Sequence, residues 1–218
     1  MVAKAHDIVG MYAALGVASE RVLIKTPATW AGLRATQQLE EEGIRCLVTL
    51  VCSDVQGRAA AEAGATMIAT YVGRVSDWHK NRSVWTAPPA PANQDPGVVM
   101  TNALQDFFRD RNLPTEVMAA SFRSVEQVAA LAGCDHMTVA PALIDKLMEH
   151  PPIDSLSLSG SRLLKEALHV RQPIDEGAFT ASLAEDLCGT DVLRASVDGF
   201  AKDTNALEAE IARLQHSP

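Results

Sequence analysis

From Val22 onward the chain alternates short apolar runs with amphipathic stretches that close on a glycine. Val22-Leu-Ile-Lys25 is too short for a helix and rich in branched residues, which predicts a strand. Past Pro27, the residues Ala28, Ala31, Gly32, Ala35 and Leu39 fall on one helical face, and Gly43 stands where a left-handed C-cap is wanted. Glu40, Glu41 and Glu42 lie beyond that stripe and read as a solvated helix end. Ile44 to Cys52 is apolar with little alternation, as in a strand covered on both faces. Ser53-Asp-Val-Gln56 has capping-box form and opens a helix running to Gly64. Thr66 to Tyr71 is a third strand, followed by a polar, proline-rich connection from Ser76 to Asp95 containing Trp78, Trp85, Pro88 and Pro89. A helix is expected from about Met100 to Arg111, a strand over Glu116 to Ser121, and a helix over Val125 to Leu131. His136 to Ala140 is the fifth strand, and Pro141 opens the next helix at a favoured position. Periodicity weakens from Pro151, before a long C-terminal helix of roughly Asp191 to Leu214. Ahead of all this, Ile8, Met11, Tyr12 and Leu15 mark one face of an opening helix.

Strands that alternate with helices predict an α/β fold with a parallel sheet. The strand starts, near 22, 44, 66, 116 and 137, are about 21 or 22 residues apart except across the long insertion, which is the unit of a (β/α) barrel. Such a barrel needs eight units, and five are present. The prediction is therefore one domain built as a partial TIM-type barrel that cannot close. Residues 1–150 supply the five βα units and 151–218 a C-terminal helical extension. Two open sheet edges and an uncovered inner face predict an oligomer, a partner or poor solubility.

Composition narrows the function classes. The 218 residues carry 19 basic and 27 acidic side chains, a net charge of −8, which argues against a general nucleic-acid binder. No apolar run approaches the roughly 18 residues of a membrane helix, and the N-terminus has no signal-peptide core, so a cytoplasmic protein is expected. Cys46, Cys52, Cys134 and Cys188 form no Cys-x-x-Cys pair and read as reduced thiols. The histidines at 6, 79, 136, 150, 169 and 216 lack ligand spacing, so no metal site is expected. Neither a dinucleotide fingerprint nor a P-loop occurs.

Val22-Leu-Ile-Lys25-Thr-Pro-Ala-Thr29-Trp30, Gly32-Leu-Arg34, Glu42-Gly43-Ile44 and Thr49-Leu50 resemble the signature of the transaldolases. Ala61-Glu-Ala-Gly64, Tyr71-Val-Gly-Arg74, Asp77-Trp78, Asp95-Pro-Gly-Val98, Ala120-Ser-Phe-Arg123, Ala132-Gly-Cys-Asp135 and Thr138-Val-Ala-Pro-Ala-Leu143 continue it in register. The resemblance covers the later part of the family barrel, strands four to eight. It implies cofactor-free transfer of a dihydroxyacetone unit between phosphorylated ketose and aldose sugars of the pentose phosphate pathway, through a lysine Schiff base. Lys25 matches the nucleophile, which reacts only as a neutral amine and is helped by desolvation. A strand-end lysine taken alone would be a snorkelling surface group. Thr49 matches the threonine that relays protons at the Schiff base. Arg74, Ser121 and Arg123 match groups that hold the phosphate and nearby hydroxyls, where a guanidinium fork offers paired donors. Tyr71 replaces the usual phenylalanine, as in the related fructose 6-phosphate aldolases, and a phenol there can act in proton transfer.

The departures from the pattern are specific. Leu47 stands where the family has an asparagine, and Ala69 where it has a serine; each lost polar contact typically costs ~1–3 kcal/mol. The aspartate and glutamate that perform the family's acid–base steps are not in this sequence, and Asp54 after the second strand is the one candidate to substitute. Three readings follow: a transferase active once a complementing N-terminal segment is supplied, a non-catalytic paralogue that binds sugar phosphate or a partner, and an aldolase-like enzyme. A homodimer is expected by analogy. The isolated chain is expected to form no lasting Schiff base of normal reactivity at Lys25.

Overall fold

A computed structural model describes residues 1–82, 92–149 and 174–215. Trp85, Pro88, Pro89, the 150/151 boundary and His150, His169 and His216 lie outside the described residues. The elements run α1 (Val2–Ala14), a 3-10 turn (Ser19–Arg21), β1 (Ile24–Pro27), α2 (Trp30–Glu41), β2 (Cys46–Val51), α3 (Asp54–Glu62), β3 (Met67–Tyr71) and α4 (Val72–Asn81). They continue with a second 3-10 turn (Ala92–Gln94), α5 (Pro96–Asp110), β4 (Glu116–Ala120), α6 (Val125–Ala130), β5 (His136–Thr138), α7 (Pro141–Glu149), α8 (Glu176–Glu185) and α9 (Leu187–Gln215).

Among the described residues five strands form one sheet in sequence order, every neighbouring pair parallel, with β1 and β5 at its edges. This is the α/β, partial TIM-type architecture that the alternation of elements predicts. Side chains alternate across the sheet, so each strand presents one set to the helices and one to the inner face. Val48, Val51, Ile68 and Val117 face the helices and form a single core with Leu33, Val55, Leu104 and Phe108. Two hydroxyl pairs on this outer side, Thr26 with Thr36 at 2.7 Å and Thr70 with Thr101 at 2.9 Å, satisfy the polar atoms that packing buries.

Local chemistry explains the turns. Thr29, Ser53, Asp95 and Ser124 each cap a helix by accepting a backbone N–H, from Gly32, Gln56, Gly97 and Gln127 respectively. A Cβ at Gly32 would stand 1.9 Å from the Pro27 carbonyl oxygen, so only glycine lets α2 turn back this tightly onto β1.

Several expectations are corrected. The acidic run at the end of α2 is not simply solvated. Glu40 accepts from Cys46 N at 2.7 Å and Thr66 N at 2.6 Å, pinning the starts of β2 and β3, while Glu42 pairs with His6. Ala31 is exposed, and Leu33 and Thr36 are buried instead. On α1 it is Ala5 that is buried and Ile8 that packs, whereas Met11, Tyr12 and Leu15 are exposed. The polar connection after β3 begins as helix α4, whose Ser76 is fully buried. Helix α5 starts at Pro96, earlier than the apolar pattern indicates, because Asp95 and Pro96 supply its cap and first position. Strand β1 begins at Ile24, after the short 3-10 turn, and β5 stops at Thr138. Helix α8 lies in the region of weak periodicity, and α9 is four residues longer at its start than predicted. No described helix is long and apolar enough to cross a membrane.

Candidate active site at the carboxyl ends of the strands

The carboxyl ends of β2, β3 and β4 bring together five of the six sequence-predicted site residues. A register shift between Val48 and Val51 places one extra residue in β2 against β3. Leu50 absorbs it in the left-handed region (φ 66°), an unusual conformation for a bulky side chain. The bulge re-aims Thr49, whose hydroxyl donates to the Tyr71 phenolic oxygen at 3.1 Å. Thr49 and Tyr71 are both buried. Tyr71 in turn lies under Arg74, with the guanidinium carbon 4.7 Å from its ring centroid.

Arg74 is also covered from the other side, 5.4 Å from the Phe200 ring, and its Nη1 donates to Ser196 Oγ. Both partners sit on α9, far away in sequence, and sequence reading misses them. A cleft of about 440 Å³ opens here, lined by Arg74, Asp77, Trp78, Asp191, Ser196 and Phe200. Asp191 accepts from Trp78 Nε1 at 2.9 Å and from Arg82, which fastens α9 to α4 beside the cleft.

Ser121 and Arg123 form the adjoining corner. Ser121 has φ 64°, a left-handed turn that ends β4 sharply. Its carbonyl accepts from Gly73 N at 3.0 Å, and Arg123 Nη1 donates to the same carbonyl at 2.9 Å and to Ser121 Oγ at 3.2 Å. Arg123 Nε donates to Asp77 at 2.8 Å, so the guanidinium is oriented but exposed. Below it a buried network fixes the turn. Gln127 accepts from Arg123 N and donates to Ser76 and to Asp95, whose other carboxylate oxygen takes the first amides of α5. Every polar atom at this depth needs a partner, and the network supplies one for each of these side chains.

Lys25, the sixth, comes from the edge strand. It lies on the inner face of edge strand β1, in register with Leu47, while Pro27 is in register with Thr49. The side chain is exposed, with no hydrogen-bond or ion-pair partner among the described residues, so the desolvation expected for it is absent here. The cause is topological: among the described residues β1 has a neighbour on one side only. Leu47 is half-buried and Ala69 fully buried, so the inner face is apolar at both positions where the resemblance leads one to expect polar groups. Asp54 stands in the first turn of α3, 3.4 Å from Arg58 as an i,i+4 pair, which accounts for its presence structurally.

The titratable groups near the site are shaped by burial. Asp186, at the start of α9, has its carboxyl raised above the ordinary range, first by desolvation and further by Asp54, against a backbone N–H from Gly189. The four cysteines are free thiols. Desolvation pushes Cys46, Cys134 and Cys188 up to about 12 and raises Cys52 as well, so none is primed as a nucleophile.

Comparison with known proteins gives the same assignment. The family model described as transaldolase/fructose-6-phosphate aldolase matches residues 1–211. Transaldolase 1 of Pectobacterium atrosepticum is 39% identical over 211 residues, which cover 97% of this chain and 65% of that protein. A transaldolase of Xanthomonas euvesicatoria pv. vesicatoria is 41% identical over 212 residues, 97% of this chain and 64% of its own length. One from Chromohalobacter salexigens is 39% identical over 211 residues, with shares of 97% and 65%. The chain thus spans just under two thirds of the length of these curated relatives. By sequence and by the arrangement of its strands, the chain belongs to the transaldolase/fructose-6-phosphate aldolase family.

Proposed function

We propose that this chain carries the sugar-phosphate-binding and Schiff-base half of a transaldolase site, transferring a dihydroxyacetone unit between phosphorylated ketose and aldose sugars. The observation that carries the reading is the Thr49–Tyr71–Arg74 chain of contacts beside the Ser121–Arg123 corner, all at the carboxyl end of a parallel sheet. That end is where barrel enzymes place their chemistry.

In this mechanism the Lys25 amine, once deprotonated, attacks C2 of the ketose phosphate. Loss of water gives an iminium, which accepts the electron pair when C3–C4 breaks. The C4 hydroxyl proton leaves to a base, an aldose phosphate departs, and a three-carbon enamine remains on the lysine. Attack of the enamine on an acceptor aldehyde, followed by hydrolysis, returns the amine. Thr49 and Tyr71 relay protons at the iminium, and Arg123, Ser121 and Arg74 hold the phosphate and its neighbouring hydroxyls. The family pattern also uses an aspartate and a glutamate for the acid–base steps, a role that contributes about 10²–10⁴-fold in rate. A Tyr71 phenol held by Thr49 also supports a second reading, aldolase-like release of free dihydroxyacetone.

Borohydride trapping with fructose 6-phosphate, followed by peptide mapping, tests the proposal. The expected result is slow labelling confined to Lys25 that needs the sugar's phosphate and falls in Arg123→Gln. Labelling spread over the surface lysines, or equal labelling with unphosphorylated fructose, overturns it. Free dihydroxyacetone formed without an acceptor would favour the second reading.

A further inference from the structure

Helix α9 extends beyond the surface it packs on. Its first half is anchored by Cys188, Val192 and Ser196, all buried, whereas residues 201–215 are exposed without exception. Those residues make about four turns, or about 22 Å of helix, and bury no apolar side chain among the described residues. A helix of that length is marginal in water on its own, because most helical stability in proteins comes from packing an apolar face. The sequence supplies such a face. Val197, Phe200, Thr204, Leu207, Ile211 and Leu214 follow one another at alternating steps of three and four residues, the period of a coiled-coil seam. The steps put β-branched Val197, Thr204 and Ile211 at the a positions and Phe200, Leu207 and Leu214 at d, an arrangement that favours two strands. Yet the apolar members of the seam are 40–61% exposed.

The flanks of the seam indicate what kind of helix fits it. Position g holds Asp203 and Glu210, and position e holds Ala201, Glu208 and Gln215. Neither flank carries a base over these turns. Lys202 and Arg213 fall on the outer face, at f and c, and Arg213 bridges back to Glu210 at 2.6 Å. A second copy, in either orientation, would set acid against acid across the seam, which opposes pairing. We propose that the distal half of α9 docks a basic amphipathic helix, one with an apolar a/d face flanked by Lys or Arg at e and g. Opposite charges at those flanks are what set partner choice in such pairs. This surface is separate from the strand-end groups except at Phe200, which also covers Arg74, so the test rests on residues beyond it.

A synthetic peptide of three heptads, with Ile at a, Leu at d and Lys at e and g, tests this against a twin carrying Glu at e and g. Both are titrated into the full chain by calorimetry. Saturable one-to-one binding of the Lys peptide is expected, at least about tenfold tighter than the Glu twin. Ile211 is exposed, so Ile211→Asp leaves the core alone and weakens binding of the Lys peptide at least about tenfold. The double variant Asp203→Lys with Glu208→Lys inverts the preference between the two peptides. The proposal fails if the two peptides bind alike, or if Ile211→Asp binds the Lys peptide unchanged, since the attraction is then to net charge alone. It also fails if sedimentation shows a dimer of the chain that Ile211→Asp dissolves, because the occupant of the seam is then a second copy.

Discussion

Thr49 donates its hydroxyl proton to the phenolic oxygen of Tyr71, 3.1 Å away, across the bulge that interrupts β2. The bulge holds Leu50 in a left-handed conformation, and the buried Leu50 side chain packs with Tyr71 in the same cluster. Backbone strain and hydrogen bond thus belong to one unit, in which packing holds a conformation that local preference opposes. Thr49→Val and Tyr71→Phe are each expected to cost about 1 kcal/mol of stability. Because either change removes the same bond, the double variant should cost clearly less than the sum. Urea unfolding of the four proteins measures the cycle, and strict additivity would show that the two hydroxyls do not interact.

Gly73 sits where the first turn of α4 meets the end of β4. A Cβ there would lie 2.1 Å from the Ser121 carbonyl oxygen and 2.7 Å from Arg123 Cγ. Gly73→Ala must therefore displace the Ser121–Arg123 corner. We expect a loss of about 1–3 kcal/mol in stability. Calorimetry should show fructose 6-phosphate affinity falling further than stability alone accounts for. Unchanged affinity would mean that the corner does not hold the phosphate.

Helix α9 holds Arg74 through Ser196 and Phe200. Phe200 is 44% exposed, so Phe200→Ala should barely alter stability. It removes one of the two rings that orient the guanidinium, a contact worth about 0.5–1 kcal/mol, or roughly two- to fivefold in sugar-phosphate affinity. Broadening or loss of the Arg74 Nε resonance in the variant would report the freed side chain directly. A sharp, unshifted resonance would assign its order to Tyr71 alone.

Asp186 sets a pH dependence. Burial raises its folded-state pKa above the unfolded value, so the folded chain holds this proton more tightly between the two. Stability from this group is therefore greatest below the ordinary carboxylate pKa and declines as pH rises through the raised value. Asn keeps an oxygen for the Gly189 amide and carries no charge. Asp186→Asn should match the parent near about pH 4 and exceed it by pH 8. Thermal midpoints across that range measure the divergence, and parallel curves would refute it.

Much of this was legible from residue order. Glycines at 43 and 64, the cap at Ser53 and the unbroken apolar run of β2 act through bonds to near neighbours, so local pattern predicts them. The same holds for the motifs around Lys25, Tyr71 and Ser121, because each sits at the end of a strand that its own sequence defines. The start of α5 was harder to read, since its signal is a cap and a proline rather than an apolar stripe. The fate of Glu40 could not be read at all. A carboxylate beside two other acids looks solvated until strands from distant sequence bring unpaired amides to it.

Chain order alone determined a parallel α/β sheet of five strands, its open edges and the family to which it belongs, because periodicity and short motifs are properties of adjacent residues. Only the tertiary structure decided that Arg74 lies between a ring from β3 and a ring from α9, that Lys25 is exposed on an edge strand, and that Arg58 is buried with no acceptor for its Nε among the described residues. Each of those depends on which distant side chains share a volume, and that is settled by how the helices pack rather than by any local preference.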